Sequence, residues 1–372
     1  MAAGHPWVFD RALTPPPPAI AAGDIVILVD ERGPLATAFA DPRSPIRARV
    51  LERGDVAIDS GWACHRAAAA AARRARDPLL LGCTGVRLIH GEADAMPGLV
   101  IDHYDTTAVV VYDGAAATAF WHPRLTDVIA GLERGGATIE HVWVRGNRTA
   151  RNAGESWRGD APVEIVIFED EARFGVDVRL GQKTGFFLDQ RENRRTIRRH
   201  AAGISVLNMF AYTGGFSIHA ALGGATRVTS VDSASPAVAA LAVNVGLSGL
   251  SADAHHGIAE DAFEFLERAA KRSERWDLVI VDPPSFAPNE RSRPAALRAY
   301  DRLITLALDV TAPGGRFALA SCSSHVTEAD LLKHTARPEL RLRLSAGAAS
   351  DHPVLAAFPE GAYLKFLLFD VG

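Results

Sequence analysis

The chain has 372 residues, of which 48% are hydrophobic and 23% are charged, and its formal net charge is −4. This charge argues against nucleic-acid binding driven by total charge, although it leaves room for a local basic face. No run is apolar over the length of a membrane-spanning helix, and the first residues show no export signal. Cys64, Cys83 and Cys322 are widely spaced, which fits neither a disulfide framework nor a zinc site and predicts a reducing, cytoplasmic environment.

The first block of the chain, residues 1–75, contains short β-like runs separated by turn residues. Strands are predicted over 25–29, 35–39 and 46–51, after a proline break at 15–18. Turn signals at this spacing predict a small β-barrel. An alanine-rich helix predicted over 67–76 should lead out of it and end at Asp77-Pro78.

The second block, residues 76–170, is predicted to be a small β-rich α/β module. Its expected elements are strands over 86–90, 100–104 and 107–112, a helix over 116–132 that stops before Gly135-Gly136, and strands over 142–145 and 163–168. No reactive group of residues stands out in this block.

The third block, residues 171–372, alternates between strand and helix patterns. Strands are predicted over 206–210, 227–231, 278–281 and 317–320, and helices over 215–222, 235–247, 259–272 and 295–309. This alternation predicts a doubly wound, mostly parallel sheet. In such a sheet the ligand crevice lies beyond the carboxyl ends of the strands.

Two predicted strands of the third block end on reactive residues. Asp282-Pro283-Pro284 follows one strand, and Ser321-Cys322-Ser323-Ser324 follows the other. We therefore expect the carboxylate and the thiol to lie over one pocket, a pairing that suggests covalent chemistry on a flat, electron-poor ring. The alternative is a buried structural cysteine, because this residue type is often found in cores. The position at a strand end, beside serines, favours the nucleophile.

The strand predicted over 206–210 runs directly into a glycine-containing turn. Gly214 and Gly215 in this turn would let the backbone approach a ligand closely, and Asp232 ends the next strand, where an acid commonly binds ribose hydroxyls. The turn is not GxGxxG, so a ligand without phosphates, such as S-adenosylmethionine, suits it better. A tight turn followed by a surface aspartate is the alternative interpretation.

A further segment lies upstream of this turn. Asp189 and Glu192 are predicted to form a capping box for a helix over 190–202, which Gly203 would close. A capped helix with a solvated arginine face does not explain Lys183-Thr184 or Phe186-Phe187. These residues are predicted to form a lid across the cofactor pocket.

A set of short motifs is spread over almost the whole chain. The motifs are His5-Pro6-Trp7-Val8-Phe9 and Ile46-Arg47-Ala48-Arg49 in the first block, Arg87-Leu88-Ile89-His90-Gly91-Glu92-Ala93-Asp94 with Pro97-Gly98 in the second, and Lys183-Thr184-Gly185, Asp189-Gln190-Arg191, Tyr212-Thr213-Gly214-Gly215-Phe216, Asp282-Pro283-Pro284, Ser321-Cys322-Ser323, Asp351-His352-Pro353, Phe358-Pro359-Glu360-Gly361 and Tyr363-Leu364-Lys365 in the third. In combination they resemble bacterial class I methyltransferases with an N-terminal PUA domain that make 5-methylcytosine in 23S ribosomal RNA. No single motif is specific by itself.

The resemblance implies a three-domain organisation and a reaction. A PUA-like RNA-binding β-barrel (1–75) and a central β-rich α/β domain (76–170) would precede a Rossmann-like S-adenosylmethionine-dependent methyltransferase domain (171–372). It further implies a homodimer and no metal. The short segment before His5 predicts a truncated first PUA strand and reduced RNA affinity.

The resemblance also implies roles for individual residues. Cys322 would be the nucleophile, and Asp282 would assist at the base. The expected cofactor-binding residues are Lys183, Thr184, Phe187, Asp189, Arg191, Asn208, Phe210, Tyr212, Thr213, Gly214, Gly215, Asp232, Asp261, Asp282 and Pro283.

The predicted mechanism is addition of the Cys322 thiolate to carbon 6 of cytosine, which makes carbon 5 nucleophilic toward the methyl donor. Asp282 would bond the ring nitrogen or exocyclic amine as charge develops. The base that removes the carbon-5 proton is not identified by the sequence. RNA phosphates would be bound by arginines that could equally be solvated surface charges, namely Arg145, Arg148, Arg151, Arg291 and Arg293.

Three alternatives remain open at this stage. An RNA N-methyltransferase acting on guanine N7 or an exocyclic amine could use Asp-Pro-Pro and would need no thiol. A non-catalytic RNA-binding assembly factor would require a degenerate cofactor turn. A small-molecule methyltransferase would leave the two preceding domains without a purpose.

Overall fold

The computed structural model describes residues 4–14, 19–146, 154–287 and 289–372. The chain divides into two compact units, which are described separately. The first consists of Met1–Ile167, Val176–Leu188 and Ser350–Gly361, and the second of Phe168–Gly175, Asp189–Ala349 and Ala362–Gly372. The proline break at 15–18, Arg148 and Arg151 lie outside the described residues. Within the described ranges, no helix has the length and apolar character needed to cross a membrane.

The first unit opens with a four-stranded antiparallel sheet. Its strands are β1 (Trp7–Phe9), β2 (Ile25–Asp30), β3 (Gly33–Ala40) and β4 (Ile46–Arg53), arranged in the order β1-β4-β3-β2. The three predicted strands of this block are therefore confirmed. Small side chains such as Ala38 and Ala48 are buried in it with Val8.

Three helices follow along the first unit: α1 (Ser60–Ala75), α2 (Ala115–Trp121) and α3 (Leu125–Arg134). Helix α1 begins seven residues before the predicted start because the Asp59 carboxylate accepts a hydrogen bond from the Trp62 amide at 2.8 Å. The single helix predicted over 116–132 is wrong. A 3₁₀ turn that contains Pro123 separates α2 from α3, since proline lacks the donor that a continuous helix requires.

A five-stranded sheet completes the core of the first unit. It is formed by β5 (Gly85–His90), β6 (Leu99–Tyr104), β7 (Thr107–Tyr112), β8 (His141–Arg145) and β9 (Gly154–Arg158), and only the β7–β8 pair is parallel. The predicted meander is confirmed, whereas β9 was not predicted. Large side chains that include Trp62, Phe120 and Trp121 are buried in the same cluster as Ile101 and Leu125.

A buried ion-pair network crosses the first unit. The Arg87 guanidinium donates to both oxygens of Asp102, at 2.7 and 2.8 Å, and Arg74 donates to both oxygens of Asp94 at 2.7 Å. Asp351 joins the two pairs, because its carboxylate accepts from the Arg87 amide and its carbonyl accepts from Arg74. Bidentate geometry of this kind compensates the cost of burying charge.

The second unit is built on a seven-stranded sheet. A two-stranded sheet of β10 (Glu164–Glu169) and β11 (Ala172–Asp177) precedes it in the chain, and its residues are divided between the two units. The elements of the second unit are α4 (Arg191–Arg199), β12 (Ser205–Met209), α5 (Gly215–Leu222), β13 (Arg227–Asp232), α6 (Ser235–Leu247), β14 (His255–Ala259), α7 (Ala262–Lys271), β15 (Trp276–Val281), α8 (Arg293–Asp309), β16 (Thr311–Ser321), α9 (Glu328–His334), β17 (Leu340–Ala346) and β18 (Lys365–Val371). The sheet order is β14-β13-β12-β15-β16-β18-β17.

The first five strands in this order pair in parallel, and β18 runs antiparallel to its two neighbours. The predicted doubly wound, mostly parallel sheet is thus confirmed. Helices α5 and α6 have the predicted bounds. Helix α7 begins at Ala262 instead of 259, because residues 255–259 form β14 and Asp261 caps the helix.

Close contact between α1 and α3 yields a stability prediction. A Cβ atom added at Gly131 would lie 2.3 Å from the Cys64 carbonyl oxygen, whereas one added at Gly246, inside α6, would meet nothing within 4 Å. We expect Gly131→Ala to lower the free energy of unfolding by about 1–3 kcal/mol, as overpacking does. Gly246→Ala should raise it by about 0.5–1 kcal/mol. Urea unfolding checks both, and an equal change in the two variants would contradict the packing argument.

Candidate active site

The carboxyl ends of the five parallel strands lie at one edge of the seven-stranded sheet. Register pairs Met209 of β12 with Val281 of β15, and Val281 with Leu319 of β16. Neighbouring strands are about 4.8 Å apart. Asp282, the first residue after β15, is therefore level with Ala320 of β16. Cys322 lies two residues beyond Ala320 on the neighbouring strand. The strand order reverses between β12 and β15, which makes this edge a topological switch point.

The turn after β12 has an unusual backbone. Phe210 and Tyr212 have φ values of +57° and +47°, and Gly214 has +90°. Residues with a side chain rarely adopt positive φ, and such conformations concentrate at ligand-binding sites. The Tyr212 amide donates to Asp232 at 2.8 Å, and a Cβ at Gly214 would lie 2.8 Å from Leu241. The sheet and α6 therefore hold this turn in a shape that Gly214 makes possible.

Three other predicted cofactor residues belong to the second unit, namely Asp232, Asp261 and Asn208. Asp232 also accepts from the Ala234 amide at 2.9 Å. Asp261 is exposed, and its carboxylate caps α7 through the Phe263 amide at 2.9 Å. Asn208 is buried and donates to Ser217 at 2.9 Å, which joins β12 to α5. Direct contact of these side chains with a cofactor stays a prediction.

Asp282 is oriented by a chain of amides from the region of α4. The Gln190 side-chain nitrogen donates to Asp282 at 3.0 Å, and the Asn193 nitrogen donates to the Gln190 oxygen at 2.6 Å. Asn193 also donates to the Gly347 carbonyl at 3.1 Å. Pro283 is buried, so both ends of the carboxylate's segment are constrained. The sequence interpretation did not assign a function to Gln190 or Asn193. The sequence feature that could have indicated one is a pair of uncharged amides, three positions apart, at the start of an arginine-rich helix.

Cys322 is half-buried at the end of β16 and lies between two buried serines. The Tyr300 hydroxyl donates to Ser321 at 2.8 Å, and the Ser323 amide donates to the same oxygen at 3.3 Å. Burial raises the pKa of Tyr300 to about 12, with the Cys322 and Asp282 charges acting in the same direction. Asp282 and Cys322 are thus both in the electrostatic surroundings of one tyrosine, as their predicted proximity requires.

Lys365 enters this site from β18. It pairs with Ser321 across the antiparallel β16–β18 ladder, and its ammonium donates to the Ser323 and Tyr363 carbonyls at 2.6 and 2.7 Å. The side chain is buried, and this burial lowers the pKa of Lys365 to about 8, against the opposing influence of Cys322. The sequence interpretation used Tyr363-Leu364-Lys365 only as a resemblance motif. A lysine directly before the apolar run Phe366-Leu367-Leu368-Phe369 is the signal that was available.

The capping box predicted for α4 is wrong. Helix α4 runs from Arg191 to Arg199, and its first cap, Gln190, makes no side-chain cap bond. Asp189 instead accepts a hydrogen bond from the Tyr363 hydroxyl at 2.5 Å. The helix ends at Arg199, before the predicted end at 202.

The solvated arginine face predicted for α4 is wrong at one position: Arg199 is exposed and Arg195 and Arg198 are partly exposed, whereas Arg194 is buried. Arg191 and Arg194 are buried, and Arg194 donates to the buried Glu169 at 2.8 Å. Burial alone would raise the pKa of Glu169, but the Arg194 charge and hydrogen bond hold that pKa well below its usual range. The helix therefore turns charged side chains toward the interior, where an acidic partner compensates them.

The remaining predicted cofactor residues belong to the first unit. Thr184 is buried, and its hydroxyl donates to Asp102 at 2.5 Å and lies 2.7 Å from the Tyr104 hydroxyl. Lys183 has a φ of +53°, and its ammonium lies 4.6 Å from the centre of the Phe187 ring. The structure therefore anchors this segment through Thr184. Its predicted role as a lid stays a prediction.

Two of the arginines predicted to bind phosphate are engaged within the protein. Arg145 donates to the backbone carbonyls of Gly181 and Arg179, at 2.9 and 3.3 Å, and so supports the Lys183 segment. Arg293 donates to Asp330 at 2.8 Å. Arg291 is exposed. The structure thus assigns Arg145 a structural task that the sequence interpretation did not foresee.

Comparison with known proteins agrees with this architecture. Residues 135–370 match the model of S-adenosylmethionine-dependent methyltransferases, and residues 1–53 match a PUA-like domain. The chain is 38% identical to a ribosomal RNA large subunit methyltransferase of Deinococcus radiodurans, over 99% of this chain and 94% of that protein. It is 34% identical to ribosomal RNA large subunit methyltransferase I of Erwinia tasmaniensis, over 97% and 94% of the two chains.

A solved structure supports the fold. The crystal structure of SMU.776 complexed with SAH superposes with a TM-score of 0.86 at 23% identity, covering 100% of this chain and 96% of that one. The sheet order and the strained turn after β12 define a class I, Rossmann-like methyltransferase fold. The chain belongs to the S-adenosylmethionine-dependent methyltransferase family, with an N-terminal PUA-like domain, and S-adenosylmethionine is its cofactor.

The residues of the turn fit this cofactor. A backbone held at positive φ, with space only for hydrogen at Gly214, forms a cradle for a flat nucleoside, and Asp232 offers carboxylate oxygens for ribose hydroxyls. Among the described residues, no group of three or more His, Cys, Asp or Glu side chains is arranged to hold a metal ion.

The turn generates a binding prediction. Gly214→Ala combines a φ of +90° with a contact of 2.8 Å to Leu241, whereas Gly224→Ala has a φ of +88° and a closest contact of 3.6 Å, at the opposite end of β13. Both changes should cost about 1–2 kcal/mol of stability through their backbone conformation. Only Gly214→Ala should weaken S-adenosylmethionine binding, at least about tenfold, in calorimetry. Equal affinities of the two variants would contradict the assignment of the turn.

Proposed function

We propose that this protein transfers a methyl group from S-adenosylmethionine to carbon 5 of a cytosine in ribosomal RNA of the large subunit, 23S RNA in bacteria. The relatives named as large-subunit RNA methyltransferases match the chain over nearly its full length and support the choice of RNA. The observation that carries the proposed chemistry is the position of Cys322 and Asp282 at the ends of neighbouring parallel strands. An N-methyltransferase would not need a thiol there.

Cys322 acts first in the proposed reaction. Its thiolate adds to carbon 6 of the cytosine, which forms an S–C bond and moves the ring electrons to carbon 5. When bound, S-adenosylmethionine supplies an electrophilic methyl group for carbon 5. Loss of the carbon-5 proton to a base then restores the double bond as the S–C bond breaks, and the thiolate leaves. The target base must be unstacked for this, because carbon 6 is inaccessible within a helix.

Asp282 stabilises the charge that develops in the ring. One carboxylate oxygen accepts from Gln190, and in the proposed reaction the carboxylate also accepts from the protonated ring nitrogen or the exocyclic amine of cytosine. The amide chain through Asn193 fixes the direction of this carboxylate before the base arrives. Such preorganisation removes the need for solvent or side chains to rearrange during the reaction.

The cofactor is assigned to the turn and its neighbours. We propose that Tyr212, Thr213, Gly214 and Gly215 contact it through the main chain, with Asp232 on the ribose hydroxyls. Phe210, Asp261 and Pro283 would border the nucleoside, and Asn208, Asp189 and Arg191 would support it from the buried layer. The roles of Lys183, Thr184 and Phe187, the cytoplasmic location and the homodimer stay predictions.

The nucleophile is tested by removing its sulfur. Cys322→Ala should abolish methyl transfer to ribosomal RNA from a strain that lacks this enzyme, while calorimetry shows unchanged S-adenosylmethionine binding, because the thiol is needed for attack and not for the cofactor. Tritiated methyl transfer measures the first, and nucleoside mass spectrometry identifies the product. Cys83→Ala is the control and should retain full activity. Turnover by Cys322→Ala would rule out the covalent route, and a methylated guanine or exocyclic amine would establish the N-methyltransferase instead.

The carboxylate is tested by a neutral replacement of the same shape. Asp282→Asn can still accept from Gln190 but loses its charge, so we expect kcat to fall by about 10²–10³ with little change in KM. Gln190→Ala should lower kcat less, because it removes only the orientation of an intact carboxylate. Steady-state methyl transfer with saturating cofactor measures both. A larger defect in Gln190→Ala than in Asp282→Asn would contradict these roles.

A further inference from the structure

A buried lysine lies against the segment that carries the proposed nucleophile. Lys365 is 6% exposed. Its backbone pairs with Ser321 and its ammonium donates to the carbonyl of Ser323, so Lys365 contacts the residues on both sides of Cys322. The second carbonyl, from Tyr363, fixes the ammonium from its own strand. An ammonium has three donors, so one more is available to an acceptor at this site.

Burial of this cation requires compensation. Carbonyl oxygens solvate an ammonium but carry no net charge, and an ammonium with only such partners is destabilised in the interior. This is consistent with the lowered pKa of Lys365, whose main cause is burial. The charges that oppose the shift are Cys322, Asp330 and Glu328, with Cys322 first in magnitude. Among the charges that act on Lys365, the strongest therefore belongs to the cysteine whose neighbouring carbonyl the ammonium binds.

Further charged or titratable groups near this segment come from the loop after β15, from α8 and from α9. Asp282, in the loop after β15, is anionic and disfavours a thiolate. Tyr300, on α8, stays neutral because its pKa is raised. On α9, Asp330 is paired with Arg293 at 2.8 Å, and Glu328 accepts from Ser345 at 2.6 Å. His325, three residues after the cysteine, lies 3.2 Å from Glu290.

We propose that Lys365 is the positioning residue that holds Cys322 as a thiolate and keeps its segment in place before RNA binds. An ordinary thiol with a pKa of about 8.5 is only a few per cent ionised at neutral pH, and a nearby ammonium favours the reactive form. Lys365 also offsets the repulsion from Asp282, so that a carboxylate and a thiolate can share one pocket. The use of this thiolate in RNA methylation rests on the proposed function, but the proposed electrostatic effect of Lys365 on Cys322 does not.

The test is the pH dependence of alkylation at Cys322. The full-length protein, without RNA, is treated with iodoacetamide between about pH 6 and pH 9, and mass spectrometry follows each cysteine separately. In the wild type we expect Cys322 to react with a midpoint at least one pH unit below that of an ordinary thiol. Lys365→Met should raise the midpoint and slow alkylation at neutral pH about tenfold, which corresponds to a shift of one pKa unit.

Matched variants separate charge from packing. Lys365→Arg retains a cation and should keep most of the shift, and Lys333→Met removes an exposed lysine from α9 and should change nothing. Asp282→Asn should move the midpoint in the opposite direction, because it removes a negative charge. In methyl transfer, Lys365→Met should shift the rising limb of the kcat profile to higher pH, which a loss of packing alone would not do.

The outcomes are decisive in both directions. An unchanged midpoint in Lys365→Met, or a wild-type Cys322 that titrates like an ordinary thiol, overturns the proposal, and the second result needs no variant to fold. If Cys322→Ala still methylates RNA, the proposed function fails, while the alkylation profile of the wild type and of Lys365→Met still reports on the effect of the ammonium on the thiol. If Cys322→Ala is inactive and the midpoint does not respond to Lys365, the function stands and this role of Lys365 is excluded.

Discussion

The functional part of this protein depends on the parallel pairing of β12, β15 and β16 in register. This pairing brings the residue after each strand to the same edge of the sheet, within about two strand spacings of one another. Because side chains alternate across a strand, a slip of one residue would turn every buried side chain to the opposite face, so the hydrophobic core itself enforces the register. Leu207, Val279 and Phe317 belong to one such core cluster. Packing in this cluster fixes the register of the three strands and thereby the positions of Asp282 and Cys322, which lie outside the cluster.

A buried polar layer lies between this core and the reactive edge. Asn208 of β12 bonds Ser217 of α5, Gln190 bonds Asp282, and Tyr300 of α8 bonds Ser321 of β16, so the strand ends and the Asp282 loop are attached to neighbouring elements. Hydrogen bonds of this kind add little net stability, but they are costly to leave unsatisfied, which restricts the loops to few arrangements. The rigidity that catalysis requires therefore arises in residues that do not themselves react.

Charge is distributed over the edge in a way that suits a sequential reaction. Asp282 is fixed by neutral amides, whereas the segment of Cys322 is bonded by the only lysine on β18, Lys365. Two anionic groups in one pocket would raise each other's pKa, and a buried cation is the physical means to prevent this. The ammonium of Lys365 is held by two backbone carbonyls, those of Ser323 and Tyr363. Because carbonyls carry no net charge, they hold the cation without cancelling its electrostatic effect on the thiol.

The sequence by itself determined the strand–helix alternation, the bounds of α5 and α6, and the location of Asp282 and Cys322 after buried strands, because these follow from hydrophobic period and from glycine and proline. It failed where distant residues compete with local signals. Asp189 has the spacing of a capping residue, but the Tyr363 hydroxyl, far along the chain, binds its carboxylate instead. Arg194 has the pattern of a solvated helix face, but a buried Glu169 turns it inward, and Arg145 bonds backbone carbonyls. Lys365 acquires its place beside Cys322 only when β18 inserts antiparallel to β16, and long-range pairing of this kind is a property of the folded sheet that no local pattern contains.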